Sequence, residues 1–323
     1  MLESGLVTAC VLDGQGGARQ VDAAGVAGWR ADAGPLWVHL NRESADAREW
    51  LENDSGIDAL VVEAMLAEST RPRCQQFEEG VMLFLRGVNL NPGADPEDMV
   101  SIRLWIEPNR IISVRLRQLL TVQDIRQLLD QKRGPKSVGD FVVELSDGLV
   151  SRMVNVLGDI DDTVDRLQTE VLDNGSARLR TELTHLRHEI ISLRRYLAPQ
   201  REALSRLTQT KLDWMDLDRQ MALREQVDRV TRYVEDLDAA RERAAVTQEE
   251  LSNLLSEQLN SRMYVLSVVA AIFLPLGFLT GLLGINVGGI PLAENPLGFW
   301  IIGSVLLLIV ILQLLVFRWR RWF

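Results

Sequence analysis

The alternation of apolar and polar positions changes character along the chain. From Gly5 to Arg117 short β-prone runs, Gly5 to Leu12, Leu36 to Leu40, Val81 to Leu90, Ser101 to Ile106 and Arg110 to Arg115, are separated by turn signals such as Asp13-Gly14, Asn91-Pro92-Gly93 and Pro108-Asn109. The last two runs, split by Glu107-Pro108-Asn109, read as a hairpin. Helical spacing at Ser44 to Asn53, Asp58 to Ala67 and Leu119 to Gln131 supplies helices to cover the resulting sheet. Residues 1–136 are therefore expected to form an α/β domain, a mixed sheet with flanking helices.

After Gly139 the texture becomes helical. Between Gly175 and Gly277 there is no glycine, and Pro199 is the one proline before Pro275, so this Leu-rich, charged stretch contains few breaks. Three long helices are predicted: Val138 to Leu172, Ala177 to about Lys211, and Leu217 onward. In the third, Leu217, Met221, Val227, Val230, Val234 and Leu237 keep a 3-to-4 spacing. A helix from Leu217 to Gly284 would be on the order of 100 Å long at 1.5 Å per residue. So polar a rod needs partners, either the preceding hairpin of helices or copies of itself around an axis.

The third texture is apolar. Between Arg262 and Arg318 there is one charged side chain, Glu294. The halves on either side, Met263 to Ile285 and Asn295 to Phe317, are each long enough to cross a hydrocarbon core of roughly 30 Å. The predicted layout is a helical hairpin and stalk over 137–262, a first span over 263–285, a loop over 286–295, a second span over 296–317 and a basic tail over 318–323. The loop carries no Lys or Arg, whereas Arg262 precedes the first span and Arg318, Arg320 and Arg321 follow the second, with Trp319 and Trp322 as interfacial anchors. Both termini are expected in the cytoplasm and the loop outside, in a multi-pass protein of the inner membrane. Met1 to Asp13 lacks the features of a signal peptide, which leaves insertion to the spans themselves.

Charge narrows the chemistry. The 323 residues carry a net charge of −10 (45 acidic, 35 basic), which recommends no nucleic-acid partner and suits cations better than anions. Cys10 and Cys74 belong to no paired motif and read as small core residues of a reducing compartment. Gly14-Gln15-Gly16-Gly17 lacks the Lys-Ser/Thr of a phosphate loop and reads as a hairpin turn. His39 has no acidic or thiol neighbour at ligand spacing and reads as a strand residue. No nucleophile, base and orienting group converge, so an enzyme is not expected.

Two polar features could hold a regulatory metal. His185 and His188 sit at i, i+3 on one helical face, and Asp159, Asp161, Asp162 and Asp165 form an acidic patch; hydrated surface is the alternative for both. In the first span, steps of three or four from Asn260 give Met263, Ser267, Ala270, Leu274, Gly277, Gly281 and Gly284 on one face. That face is either a packing seam, with Gly277 and Gly281 as a small-xxx-small pair, or the lining of a pore. Pro275 is expected to interrupt the helix, and Gly284-Ile285-Asn286 to close it.

A Gly-x-Asn just after the first of two C-terminal spans resembles the CorA-type divalent cation channels and transporters, in which the usual tripeptide is Gly-Met-Asn. Ile285 in the middle, with Gly288-Gly289-Ile290-Pro291 following, is similar to the zinc-transporting ZntB branch. Phe-x-Pro-Leu at Phe273 to Leu276, the α/β domain, the long stalk, the two spans and the basic tail extend the resemblance over the whole chain. It implies a funnel-shaped homopentamer whose first spans line the axis. Asn260, Met263 and Leu266 then match the inner constriction, Leu274 and Gly277 the middle of the pore, and Gly284, Ile285 and Asn286 its entrance. Leu283 and Val287 stand where aromatic residues commonly flank the tripeptide, and Gly277 where a hydroxyl residue is common, which weakens magnesium as the main substrate.

The expected function is transport of zinc or another divalent cation, with no cofactor and with proton coupling as an added feature of the branch. The inferred face carries no Asp, Glu, His or Cys, so the ion is expected to pass largely hydrated, with Glu294 concentrating cations at the mouth. A magnesium, cobalt or nickel channel is the alternative within the family. A non-conducting, membrane-anchored scaffold or sensor is the alternative outside it.

Overall fold

The computed structural model describes Leu2, residues 4–285, Ile290 and residues 295–319. The chain divides into two compact units, residues 1–249 and 250–323.

The first unit is built on a seven-stranded sheet in the order β2-β1-β3-β7-β6-β5-β4. Its strands are β1 (Leu6–Leu12), β2 (Ala18–Gln20), β3 (Leu36–Asn41), β4 (Arg73–Gln76), β5 (Val81–Gly87), β6 (Val100–Glu107) and β7 (Arg110–Arg115). All neighbours are antiparallel except β3 and β7, which run parallel with His39 beside Ser113. The expected hairpin at Glu107-Pro108-Asn109 joins β6 to β7. The Gly-rich stretch joins β1 to β2 as a turn: Gly14 and Gly16 have φ of +70° and +101°, and the Asp13 carboxylate accepts from the amides of Gln15 (2.7 Å) and Gly17 (2.9 Å). Those amides serve the turn's own carboxylate.

Strand alternation sends one set of side chains, including Val38, Leu40, Phe84, Trp105 and Val114, against α2 (Ala45–Asn53) and α3 (Ala59–Leu66). The other face meets α4 (Leu120–Asp130), α5 (Val138–Ser151) and α7 (Ala177–Gln209), with Trp37 packed on Phe141 at a ring-centroid distance of 4.8 Å. The short elements β2, β4 and α1 (Ala23–Ala27) have too few residues to show a period, and the sequence pattern does not predict them.

The helix expected over Val138 to Leu172 is two helices, α5 and α6 (Met153–Asn174), with Arg152 between them. Arg152 donates Nη1 to the Gly148 carbonyl at 3.3 Å and pairs through Nη2 with Asp124 of α4, which ties the junction to the neighbouring helix. Pro199 lies inside α7 without ending it.

The long third helix forms as one element, α8 (Leu217–Leu283). Within the first unit its partners are the preceding helices. Arg219 pairs with Asp140 (2.7 Å), Arg229 with Asp147 (2.9 Å), Arg194 with Asp238 (2.5 Å) and Arg243 with Asp165 (2.5 Å). The apolar stripe starts later than spacing suggested: Leu217 and Met221 are exposed, and the buried positions are Leu223, Val230, Val234, Leu237, Ala240 and Ala244. At the start of α8 none of the described residues covers these two positions.

In the second unit, α8 continues through Pro275 and α9 (Gly298–Trp319) follows. Their apolar windows are almost wholly exposed in the single chain, as expected of spans whose solvent is lipid.

Candidate functional site

The face predicted from Asn260 to Gly284 lies wholly on α8 and its last turn. Asn260, Met263, Leu266, Ser267, Ala270, Leu274, Gly277, Gly281, Gly284 and Ile285 are all exposed, Leu274 to 78% and Leu266 to 64%. The covered positions of the same stretch, Val268, Ala271, Ile272, Pro275, Leu276 and Leu279, fall on the opposite side at 100° per residue. One charge-free helix face is therefore left bare along the span.

Seen in one chain, the small residues do not form a seam. A methyl group placed on Gly277 or Gly281 meets no atom within 4 Å among the described residues. Ala270, Leu274 and Gly277 instead line an open apolar recess of about 820 Å³ with Phe273 and Phe278. The polarity of the face is muted. Ser267 donates its hydroxyl to the Met263 carbonyl at 2.8 Å, leaving oxygen lone pairs to face outward. The last turn closes with the Gly284 amide on the carbonyls of Thr280 (3.0 Å) and Gly281 (3.2 Å).

Pro275 does not interrupt α8, contrary to the sequence expectation. Proline has no amide to offer the carbonyl four residues back, which is Ala271. Gln313 of α9 reaches that carbonyl with Nε2 at 3.2 Å, and this bond replaces the missing one. Gln313 is a positional residue the sequence reading passed over; the available signal was a lone amide in an otherwise apolar span. The half-buried positions of α9, Ile302, Leu306, Ile309, Val310, Gln313 and Phe317, make the stripe that carries this contact.

Asn286 and Glu294, expected at the entrance, lie outside the described residues, as do Arg320, Arg321 and Trp322 of the basic tail.

The candidate metal groups do not assemble. Asp161 and Asp165 both pair with Arg243, while Asp159 and Asp162 are exposed on the same helix. His185 and His188 are exposed on α7; His188 lines a cavity beside the sheet, and His185 faces the side where Glu189 sits. Burial first, then the nearby carboxylates Glu97, Asp159 and Asp95, raise the pKa of Glu189, while His185 opposes them. Among the described residues no three His, Cys, Asp or Glu side chains converge as a bound metal requires.

Residues 32–321 match the family model described as CorA-like Mg2+ transporter protein. The divalent cation transporter CmaX of Pseudomonas aeruginosa is 40% identical over 325 residues, covering 99% of this chain and 97% of that protein. The zinc transport protein ZntB of Yersinia enterocolitica is 35% identical over 310 residues, covering 96% and 93%. The solved structure of full-length CmaX superposes with a TM-score of 0.84 over 99% of both chains. Two exposed apolar helices, a long stalk, a mixed sheet and this breadth of similarity make the chain a membrane protein that belongs to the CorA-like Mg2+ transporter family.

Proposed function

We propose that this chain moves a divalent cation, zinc foremost, across the inner membrane along the axis of a homopentamer. The single observation that carries the reading is the bare, charge-free face of α8, opposite the stripe engaged near Gln313. Five such faces around an axis would enclose a path without a carboxylate, thiol or imidazole. A dehydrated zinc ion demands those ligands, so a path lacking them suits an ion that keeps its water.

In this reading Met263 and Leu266 form an apolar throat that closes by dewetting, and Asn260 supplies a polar ring below it. Carbonyls near Gly284 and the Asn286 amide hold the ion's water shell at the entrance, a contact weak enough to release. Glu294, repeated about fivefold, concentrates cations at the mouth. The basic residues Arg262 and Arg318 that flank the spans support a reading with both termini in the cytoplasm. No cofactor takes part. No acid or histidine lies within the spans, so coupling to protons uses groups outside them.

The 35% identity to a zinc transport protein supports zinc. The Mg2+ in the family's description keeps a magnesium, cobalt or nickel channel as the second reading. Tracer flux into vesicles reconstituted with the protein separates them, with zinc flux exceeding magnesium flux and rising or falling with an imposed pH gradient. Magnesium flux above zinc flux overturns the substrate. Asn286→Ala is expected to abolish flux with assembly intact; unchanged flux favours a non-conducting scaffold.

A further inference from the structure

A cavity of about 420 Å³ in the first unit gathers Arg86, Arg103, Arg117 and Arg195. Arg103 is 3% exposed, yet no carboxylate pairs with it among the described residues. Its Nη1 donates to two backbone carbonyls, Met65 and Ala67, both at 2.5 Å. Arg86 beside it is half-buried. It donates to the carbonyls of Met99 (2.5 Å) and Thr70 (2.9 Å), lies 3.9 Å from the Tyr196 ring centroid, and has a buried Nε with no partner.

Both strands bring a cation into apolar surroundings, Arg86 from β5 and Arg103 from β6. Desolvating a guanidinium is unfavourable unless an opposite charge compensates. Burial, followed by Arg42, Arg86 and Arg73, lowers the pKa of Arg103 to about 10, and burial lowers that of Arg86. These groups still carry charge at neutral pH, so the cavity holds clustered positive charge with which no carboxylate among the described residues forms an ion pair.

The acidic lining residues are the outer ones: Glu68 and Asp98 are exposed and Glu97 is half-buried. Carboxylates at the opening oppose the entry of any anion, halide and oxyanion alike. Affinity must then come from directional contact with the guanidiniums, which a tetrahedral oxyanion can make through several oxygens and a spherical ion cannot. Ser101 and Ser192 add hydroxyl groups to the same wall. The volume exceeds that of phosphate alone and leaves room for a small organic group.

We infer that this cavity is a binding site for a phosphoryl-bearing anion, a site separate from the bare face of α8 and independent of which metal is carried. Inorganic phosphate and pyrophosphate are the probes, added to the full-length protein in lipid nanodiscs. Calorimetric titration is expected to show saturable binding at one site per chain, and thermal unfolding to shift upward with phosphate but not with sodium chloride at equal ionic strength.

Arg117 and Arg195 are exposed, so Arg117→Gln and Arg195→Gln keep the interior intact. Each is expected to weaken phosphate binding about tenfold with unchanged circular dichroism. Arg103→Met, which reaches the interior, is expected to abolish binding; if it fails to fold, the two exposed variants carry the test. Equal stabilisation by chloride, or unaltered affinity in both exposed variants, overturns the proposal. So does loss of pentamer assembly in those variants without any phosphate binding, because the arginines then meet a second copy's carboxylates.

Discussion

Gln313 donates its side-chain amide to the Ala271 carbonyl at 3.2 Å, the acceptor that Pro275 leaves without a backbone donor. In water a solvent molecule would fill that gap; in hydrocarbon nothing does. Interhelical bonds of this type contribute about 0.6–2 kcal/mol in membranes. Gln313→Leu is therefore expected to lower stability by roughly that amount in the native background. In a Pro275→Ala background, where the amide at 275 returns, the same change is expected to cost little. A double-mutant cycle followed by thermal unfolding in nanodiscs reads the coupling, and equal losses in both backgrounds would show that Gln313 acts elsewhere.

His39 makes the first unit sensitive to acid. Its Nδ1 lies 2.8 Å from Ser113 Oγ, which also receives Trp37 Nε1 at 2.9 Å and donates to the Val38 carbonyl at 3.3 Å. With those contacts satisfied, Nδ1 carries the proton, and the buried Nε2 has no partner among the described residues. Burial, then the charges of Arg115 and Arg126, lowers the pKa from 6.5 to about 3. The unfolded chain takes up a proton near 6.5 and the folded chain refuses it, so stability falls as pH drops from 6.5 toward 3. The slope is about 1.4 kcal/mol per pH unit for one proton. Unfolding midpoints between pH 6.5 and 5 should decline less steeply in His39→Leu, and parallel curves would count against the burial argument.

The spans, the stalk and the central strands were legible because each shows its character over its own length: Val81 to Leu85 is a continuous apolar run buried on both faces, and α8 lacks breakers from Leu217 to Leu274. The parallel pairing of β3 with β7 was not legible, because residues far apart in the chain set it and no turn records it. Arg86 and Arg103 were visible as charges inside apolar strands, but their neighbours on the folded sheet were not. Asn260 to Gly284 was identified as a face, while its bareness depended on where α9 packs, which Gln313 reports only when α8 is beside it.

Arg243 links Asp161 and Asp165 across α8 and α6. The carboxylates are 61% and 64% exposed, so water and salt screen the attraction. Asp161→Asn combined with Asp165→Asn is expected to lower stability by less than about 1 kcal/mol, with the difference vanishing in concentrated salt. Because Arg243 already engages Asp161 and Asp165, zinc or magnesium should protect wild type and variant equally against thermal unfolding. Selective protection of the wild type would reinstate the acidic patch as a metal site.

Gly281 distinguishes a water-filled path from a lipid-facing surface. A Cβ added there meets nothing within 4 Å among the described residues, so Gly281→Leu should insert and fold as the wild type does. If five copies surround an axis, about five isobutyl groups enter a passage that a hydrated ion must traverse, and flux should fall more than tenfold with assembly intact. If the face meets acyl chains, an added Leu is compatible with its surroundings and flux should not change. Leu279, half-buried on the opposite side, provides the control: Leu279→Ala removes packing next to Pro275 and should lower thermal stability without narrowing the path. Tracer flux and unfolding measured on both variants therefore separate obstruction from instability, and full flux through Gly281→Leu would remove the bare face from the transport path.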